Sequence, residues 1–224
     1  METPAKGLLA VWTDVELAAQ AEFAQWYDRE HLPERAGIEG FLNARRYVAV
    51  QGAPRYFAAY DTRSLAVLGS PVYVEALGHQ TEWSRRMFTH FRHTTRMIAA
   101  QPADRTIGIG GALLTLRLAP GAAGAAGLAA RLGAEVVEPV AALPGIVRVT
   151  VALGVIAGLD SDPTQPARLA ADRPDAVALL VEASEPPALE QAQAGPLSEP
   201  ALRQAGAEGI LQEGLYRMLC TVLG

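Results

Sequence analysis

The chain has one cysteine, Cys220, and one lysine, Lys6, among 224 residues. A single thiol excludes an internal disulfide framework and fits a reducing compartment. Cys220 lies in the run Met218-Leu219-Cys220-Thr221-Val222-Leu223, where a small buried hydrophobe is the expectation. There is no basic stripe, and the net charge of -5 argues against a nucleic-acid partner. No apolar run approaches the ~20 residues of a membrane helix, so no membrane partner is expected. The opening Met1-Glu2-Thr3-Pro4-Ala5-Lys6 lacks the positive start and long apolar stretch of a secretory signal, and a cytoplasmic protein is expected. Phosphate-binding glycine loops are missing too: Gly108-Ile109-Gly110-Gly111 precedes a strand instead of opening a helix. Ala119-Pro120-Gly121-Ala122-Ala123-Gly124 is small-residue turn material. No serine sits in a nucleophile elbow, and no cofactor is expected.

What the chain does have is hydrophobic residues, 50% of the total, enough for one large or two small cores. It also repeats itself. Gly7-Leu8-Leu9-Ala10-Val11-Trp12 has a counterpart in Gly111-Ala112-Leu113-Leu114-Thr115-Leu116, Ile38-Glu39-Gly40-Phe41 in Leu143-Pro144-Gly145-Ile146, and Thr95-Arg96-Met97-Ile98 in Tyr216-Arg217-Met218-Leu219. The order is preserved, so a tandem duplication is the economical reading. It divides the chain into residues 1-106 and 107-224.

Within the first half, Gly7 to Thr13 reads as a strand, with Asp14 as N-cap of a helix carrying Leu17, Phe23, Trp26 and Tyr27. Pro33 disfavours helical geometry at Leu32, where that helix should end. Strands follow at Phe41 to Val50 and Tyr56 to Tyr60, a helix at Ser64 to Leu77, a helical stretch marked by Trp83, Met87 and Phe91, and a strand at His93 to Ala99. The order β-α-β-β-α-β is ferredoxin-like. The second half predicts strands at 111-118, 146-153, 176-183 and 214-223, with helices at 122-138 and at 187-194, the last ending there or running on to 206. Extra chain from Gly158 to Asp172 reads as a surface loop. The predicted fold class is α+β: two ferredoxin-like repeats whose antiparallel sheets close a barrel-like core within one chain. Two separate units, each pairing with another copy in a homo-oligomer, are the alternative.

The densest stretch is Trp26-Tyr27-Asp28-Arg29-Glu30-His31-Leu32-Pro33-Glu34-Arg35, followed by Gly40-Phe41 and by Arg45-Arg46-Tyr47 along a strand. This resembles the EthD-like members of the dimeric α/β-barrel superfamily over roughly residues 7 to 98; the second half matches only in pattern. The resemblance implies the fold more strongly than an activity, since that superfamily spans monooxygenases, cyclases, isomerases and haem-binding enzymes.

All four histidines, all three tryptophans and every tyrosine but Tyr216 precede residue 94, so any site is expected in the first half. Tyr27 and His31 are four apart and share a helix face. The intrinsic pKa of a histidine is near neutral, so His31 suits acid or base work, or caps the helix. Arg45 and Arg46 point to opposite faces of a strand, one of them inward towards Asp61 or an anionic ligand. Tyr56 and Tyr60 share a face, to pack the core or bind a ring. His79, His90 and His93 lack the cysteine or carboxylate company of a metal site, and none is expected. Two functions fit. One is an enzyme or binder acting on a small, largely apolar molecule, with His31 and Tyr27 in catalytic positions and Trp26, Arg45, Arg46 and Tyr60 holding substrate. The other is a non-catalytic assembly protein using the duplicated sheet as an interface.

Overall fold

The computed structural model describes residues 5-155 and 176-224; the expected loop from Gly158 to Asp172 lies outside them. Strand β1 (Lys6–Val15) alternates as a strand covered on both faces must. Leu8, Ala10 and Trp12 join one buried cluster, while Leu9 and Val11 join another beneath the helices. Asp14 stays in the strand and caps no helix: Glu16 and a 3-10 turn at Leu17–Ala19 intervene before α1 (Gln20–Trp26). The Asp14 carboxylate instead accepts the backbone N–H of Arg55 at 2.7 Å.

The helix does not end at Leu32. It passes through a π-helical turn at Tyr27–His31 into α2 (Leu32–Ala36), with Pro33 in the first turn of α2. A proline inside a regular helix clashes with the carbonyl four residues back and donates no hydrogen bond. Widening the preceding turn relieves both problems, and such bulges are common at functional sites.

Next come β2 (Phe41–Gly52), β3 (Tyr56–Thr62), a 3-10 turn at Leu65–Gly69, α3 (Pro71–Gly78), α4 (Glu82–Thr89) and β4 (Phe91–Thr106). The helix expected from Ser64 is split at Pro71, where the Ser70 hydroxyl accepts the Tyr73 N–H at 3.2 Å. The second half contains β5 (Ala112–Pro120), α5 (Gly124–Glu135), α6 (Val137–Ala141), β6 (Ile146–Gly154), β7 (Val177–Ala183), α7 (Pro186–Ala194), α8 (Glu199–Gln204) and β8 (Ala207–Leu223). Strands β4 and β8 are longer than expected. β4 extends to pair across the seam between the halves, with β6 through residues 99-106, and β8 extends along β5 of its own half while its residues 214-223 cross the seam to β2. Among the described residues no helix is long and apolar enough to cross a membrane.

The eight described strands form a closed barrel in the order β1-β3-β2-β8-β5-β7-β6-β4, every ladder antiparallel. The relative order is β4-β1-β3-β2 in one half and β8-β5-β7-β6 in the other. Each half seats helices on the outside over an apolar cluster. The first is rich in aromatic rings, and the second is built from Leu, Val, Ile and Ala. All eight strands supply the interior, where Trp12, Tyr47, Phe57 and Tyr216 pack against alanines such as Ala10, Ala59, Ala99 and Ala178.

A buried ion network adjoins that interior. Asp61 accepts from Arg45 Nη2 at 2.7 Å, Arg148 Nη1 at 2.6 Å, Arg148 Nη2 and Gln101 Nε2 at 3.0 Å, and Asn43 Nδ2 at 3.1 Å. Glu182 accepts from Arg45 Nη1 and, at 3.0 Å, from the Gly110 N–H. Arg148 Nε reaches Asp104 at 3.0 Å. Burial alone would raise the Asp61 carboxyl, but Arg45 and Arg148 outweigh it and hold the group well below the usual carboxylate range. The network ties residues of the first half to Arg148 and Glu182 of the second.

Candidate functional site

Strand alternation sends the two adjacent arginines apart. Arg45 enters the barrel interior and the ion network, the cross-strand pairing with Asp61. Arg46 faces the helices: its Nη1 donates to the Ala24 carbonyl at 3.1 Å, Nε lies 3.5 Å from Asp28, and the guanidinium sits 5.6 Å over the Tyr27 ring. On the same outer face of the sheet are Leu9, Val11, Tyr56 and Tyr60.

Between this face and the helices runs a narrow cleft. It is lined by Leu9, Val11 and Tyr60 from β1 and β3, and by Phe91, Thr94 and Arg96 from β4. The helical wall supplies Tyr27 and His31 from the π-helical turn, Arg35 from α2, and Tyr73 and Leu77 from α3. Its cavity volume is about 30 Å³, close to one water molecule's share of liquid. Tyr27, His31, Arg35, Tyr60 and Tyr73 are buried on its floor, whereas Val11, Leu77, Phe91, Thr94 and Arg96 are half-buried at its rim.

His31 is 7% exposed. Its ring stacks on Trp26 at 4.4 Å between centroids and meets Tyr27 edge-on at 5.1 Å and Tyr60 at 6.2 Å. It therefore sits mid-helix against a wall of rings, not at a free helix end. The Tyr60 hydroxyl donates to that of Tyr27 at 3.5 Å, and burial, reinforced by Tyr27, pushes the Tyr60 phenol well above its ordinary range. Near neutrality Tyr60 is a donor and no base. Trp26 forms no part of the lining; its indole Nε1 donates to Glu30 Oε1 at 3.1 Å and Ser84 Oγ at 3.0 Å, locking α1 to α4 beneath His31.

The fold thus brings His31, Tyr27 and Tyr60 together at one cleft, sets Trp26 and Arg46 behind it, and leaves Arg45 inside the barrel. Arg35 and Arg96 are cleft residues that sequence reasoning did not single out. Arg35 ends the same dense stretch as His31, and Arg96 sits in a motif that marks the repeat. In the second half the positions 105 residues after Tyr27 and His31 hold Leu132 and Val136, both buried in the aliphatic cluster. The remaining histidines lie apart: His79 against the Glu75 carbonyl, His90 against Glu16, and His93 against Asp14. No group of three metal-ligating side chains gathers among the described residues. Cys220 is half-buried and packs against the first-half cluster from β8.

No family model matches the chain, and no curated protein sequence matches it. Solved structures do. An anthrone oxidase-like protein superposes with a TM-score of 0.67 at 15% identity, over 99% of this chain and 94% of that one. A candidate monooxygenase of Fusobacterium nucleatum gives 0.63 at 7% identity, over 99% and 96%. A heme-binding protein of Thermus thermophilus gives 0.55 at 9% identity, over 96% and 92%. At such identities the likeness speaks for the fold alone: this chain is similar, along nearly its whole length, to α+β proteins of the ferredoxin-like dimeric α/β-barrel kind.

Proposed function

We propose that the first-half cleft binds a small, largely apolar molecule, and that His31 gives or takes a proton there with Tyr27 beside it. The observation that carries this reading is the asymmetry of two outer faces with the same strand order. One is walled by rings, a histidine and two arginines around a cleft, and the other packs aliphatic side chains at the matching positions. An apolar lining with a few polar groups is the ordinary make-up of a ligand site. Tyr60 and Tyr27 provide a donor pair on the floor, and Arg46 supports Tyr27 from behind. The oxidase-like, monooxygenase and heme-binding names among the similar structures are compatible with small-molecule chemistry. Haem itself fits poorly, because pockets for ligands of that size need ~300 Å³ or more against about 30 Å³ in this cleft.

We also read the chain as a tandem duplication of an EthD-like unit, with residues 1-106 as the first copy and 107-224 as the second, which serves as scaffold. The ordered sequence repeats and the matching strand order support this. A second reading, a structural protein whose cleft is merely imperfect packing, draws on the stacking of His31 on Trp26 and on the small volume. A thermal-shift screen of small aromatic and aliphatic molecules separates the two. A ligand at 100 times its dissociation constant raises stability by ~2.7 kcal/mol, and a structure of the stabilised complex must then place it against His31. Stabilisers that bind only second-half residues count against the proposal.

A further inference from the structure

Among the described residues the buried Arg45, Arg46 and Arg148 are paired with carboxylates and the buried Arg117 bonds Gln212 and Thr95, whereas Arg35 stands apart on the cleft floor. Arg45 and Arg148 share Asp61 and Glu182, and Arg148 also holds Asp104. Arg35 is buried as deeply, at 2% exposure, yet its Nη2 reaches only Gln80 Oε1, at 3.5 Å. Glu34 is the sole acid in ion-pair range among the described residues, at 3.8 Å, which is too long for a hydrogen bond. Arg35 Nη1 is fully buried and meets no acceptor among the described residues. The guanidinium stays charged and has five N–H groups to satisfy, so a donor buried without an acceptor is a standing cost that native structures rarely carry without a reason. The Tyr73 ring, 6.0 Å from the guanidinium, supports the cation from one side but accepts no hydrogen bond in the guanidinium plane.

No lining residue opposes that charge. Arg96 and His31 share the cleft with Arg35, and none of its lining residues is a carboxylate. Apart from Thr94 and the Tyr27 and Tyr60 hydroxyls, the remaining walls are apolar or aromatic: Leu9, Val11, Tyr73, Leu77 and Phe91.

Taking the cleft as a ligand site, as proposed above, we propose that Arg35 Nη1 anchors the anionic oxygen of a small planar carboxylate whose apolar body lies along Leu77 and Phe91. The cleft, at about 30 Å³, encloses the charged head and not a ring, and the half-buried rim is where the body emerges. A guanidinium suits this task because its planar fork matches a carboxylate, and charge-assisted hydrogen bonds in a dry site are the strong ones.

Benzoate and benzamide, equal in shape and different in charge, test the anchor by calorimetry on the full chain. Benzoate should bind at least about tenfold more tightly than benzamide. Arg35→Gln should erase that preference by weakening benzoate and leaving benzamide unchanged. Should Arg35→Gln fail to fold, Arg35→Lys decides: several-fold weaker benzoate binding with benzamide unaltered supports the anchor, and unaltered benzoate binding overturns it. Equal binding of both probes to the native chain sinks the anion anchor and leaves the cleft standing as an apolar site. A benzoate preference that survives Arg35→Gln places the anion elsewhere and also sinks it. If neither probe binds at millimolar concentration, the anchor and the cleft reading fall together.

Discussion

His31 is the residue on which the chemistry turns, and its surroundings decide what a substitution means. Its ring is pressed between Trp26 and the Tyr27–Tyr60 pair, so replacing it disturbs packing as well as any proton transfer. An amide of similar length keeps polarity but cannot titrate. His31→Gln is therefore expected to keep the fold at a cost of about 1 kcal/mol, while turnover of the true substrate falls by about 100-fold or more. Steady-state rates beside a thermal melt separate the two effects. A variant that loses stability and keeps its rate makes His31 a packing residue. The histidine was legible in the sequence, because the stretch from Trp26 to Pro33 concentrates rings and charge. The fate of the two arginines was legible only in part. Alternation says that Arg45 and Arg46 part company, but which one turns inward depends on where Asp61 and Glu182 lie across the barrel. Glu182 belongs to the other half of the chain, far beyond the reach of local pattern.

At the level of elements, hydrophobic period gave the strands their places and proline misled about the helices. Strands from Phe41, Tyr56, Ile146 and Val177 begin where period and turn residues put them. Pro33 was read as a stop because steric rules for a regular helix make it one; a single π-helical turn removes the clash, and the sequence holds no separate mark for such a turn. Pro71 broke a helix expected to run through, Gly195 closed α7 at the shorter of its expected ends, and β4 outgrew its predicted end because its partner β6 lies in the opposite half, while β8 begins early by pairing with β5. The turn from Ile107 to Gly111 shows how tightly one element end is seated. A Cβ at Gly110 would lie 2.4 Å from the Ala183 carbonyl oxygen and 2.6 Å from its nitrogen. Both are backbone atoms of β7 and cannot swing aside, and the Gly110 N–H also serves Glu182. Gly110→Ala should cost ~1–3 kcal/mol, seen as a drop in Tm of ~2–4 °C per kcal/mol for a chain of this length. Gly108→Ala, where a Cβ meets nothing within 4 Å, is the control and should stay within about 0.5 kcal/mol of the native chain.

For the whole molecule, the ion network inside the barrel sets the behaviour in acid. The Asp61 carboxyl is lowered in the folded state, and Asp104 is lowered as well, with burial opposing and Arg148 prevailing in both. A lowered carboxyl binds fewer protons in the folded state than in the unfolded one. Its contribution is therefore complete above the unfolded value of ~3.9 and drains away as pH falls through the folded value. Urea midpoints should be level down to about pH 4.5 and fall steeply below it. Asp61→Asn should flatten the acid limb and cost ~3 kcal/mol at neutral pH, since it removes the carboxylate that Arg45 and Arg148 share and leaves only Glu182 and Asp104 to balance two buried guanidiniums. An unchanged acid limb in that variant would remove Asp61 as the cause. The closed ring of strands has a different kind of consequence. Each half ends in two strand edges, β2 and β4 on one side and β6 and β8 on the other, and each edge is satisfied only by its counterpart. Severing the exposed turn at Gly108 should accordingly yield a split protein: two polypeptides that clump when made singly, because their edges are sticky, but that find each other and regain the native melting behaviour when co-expressed.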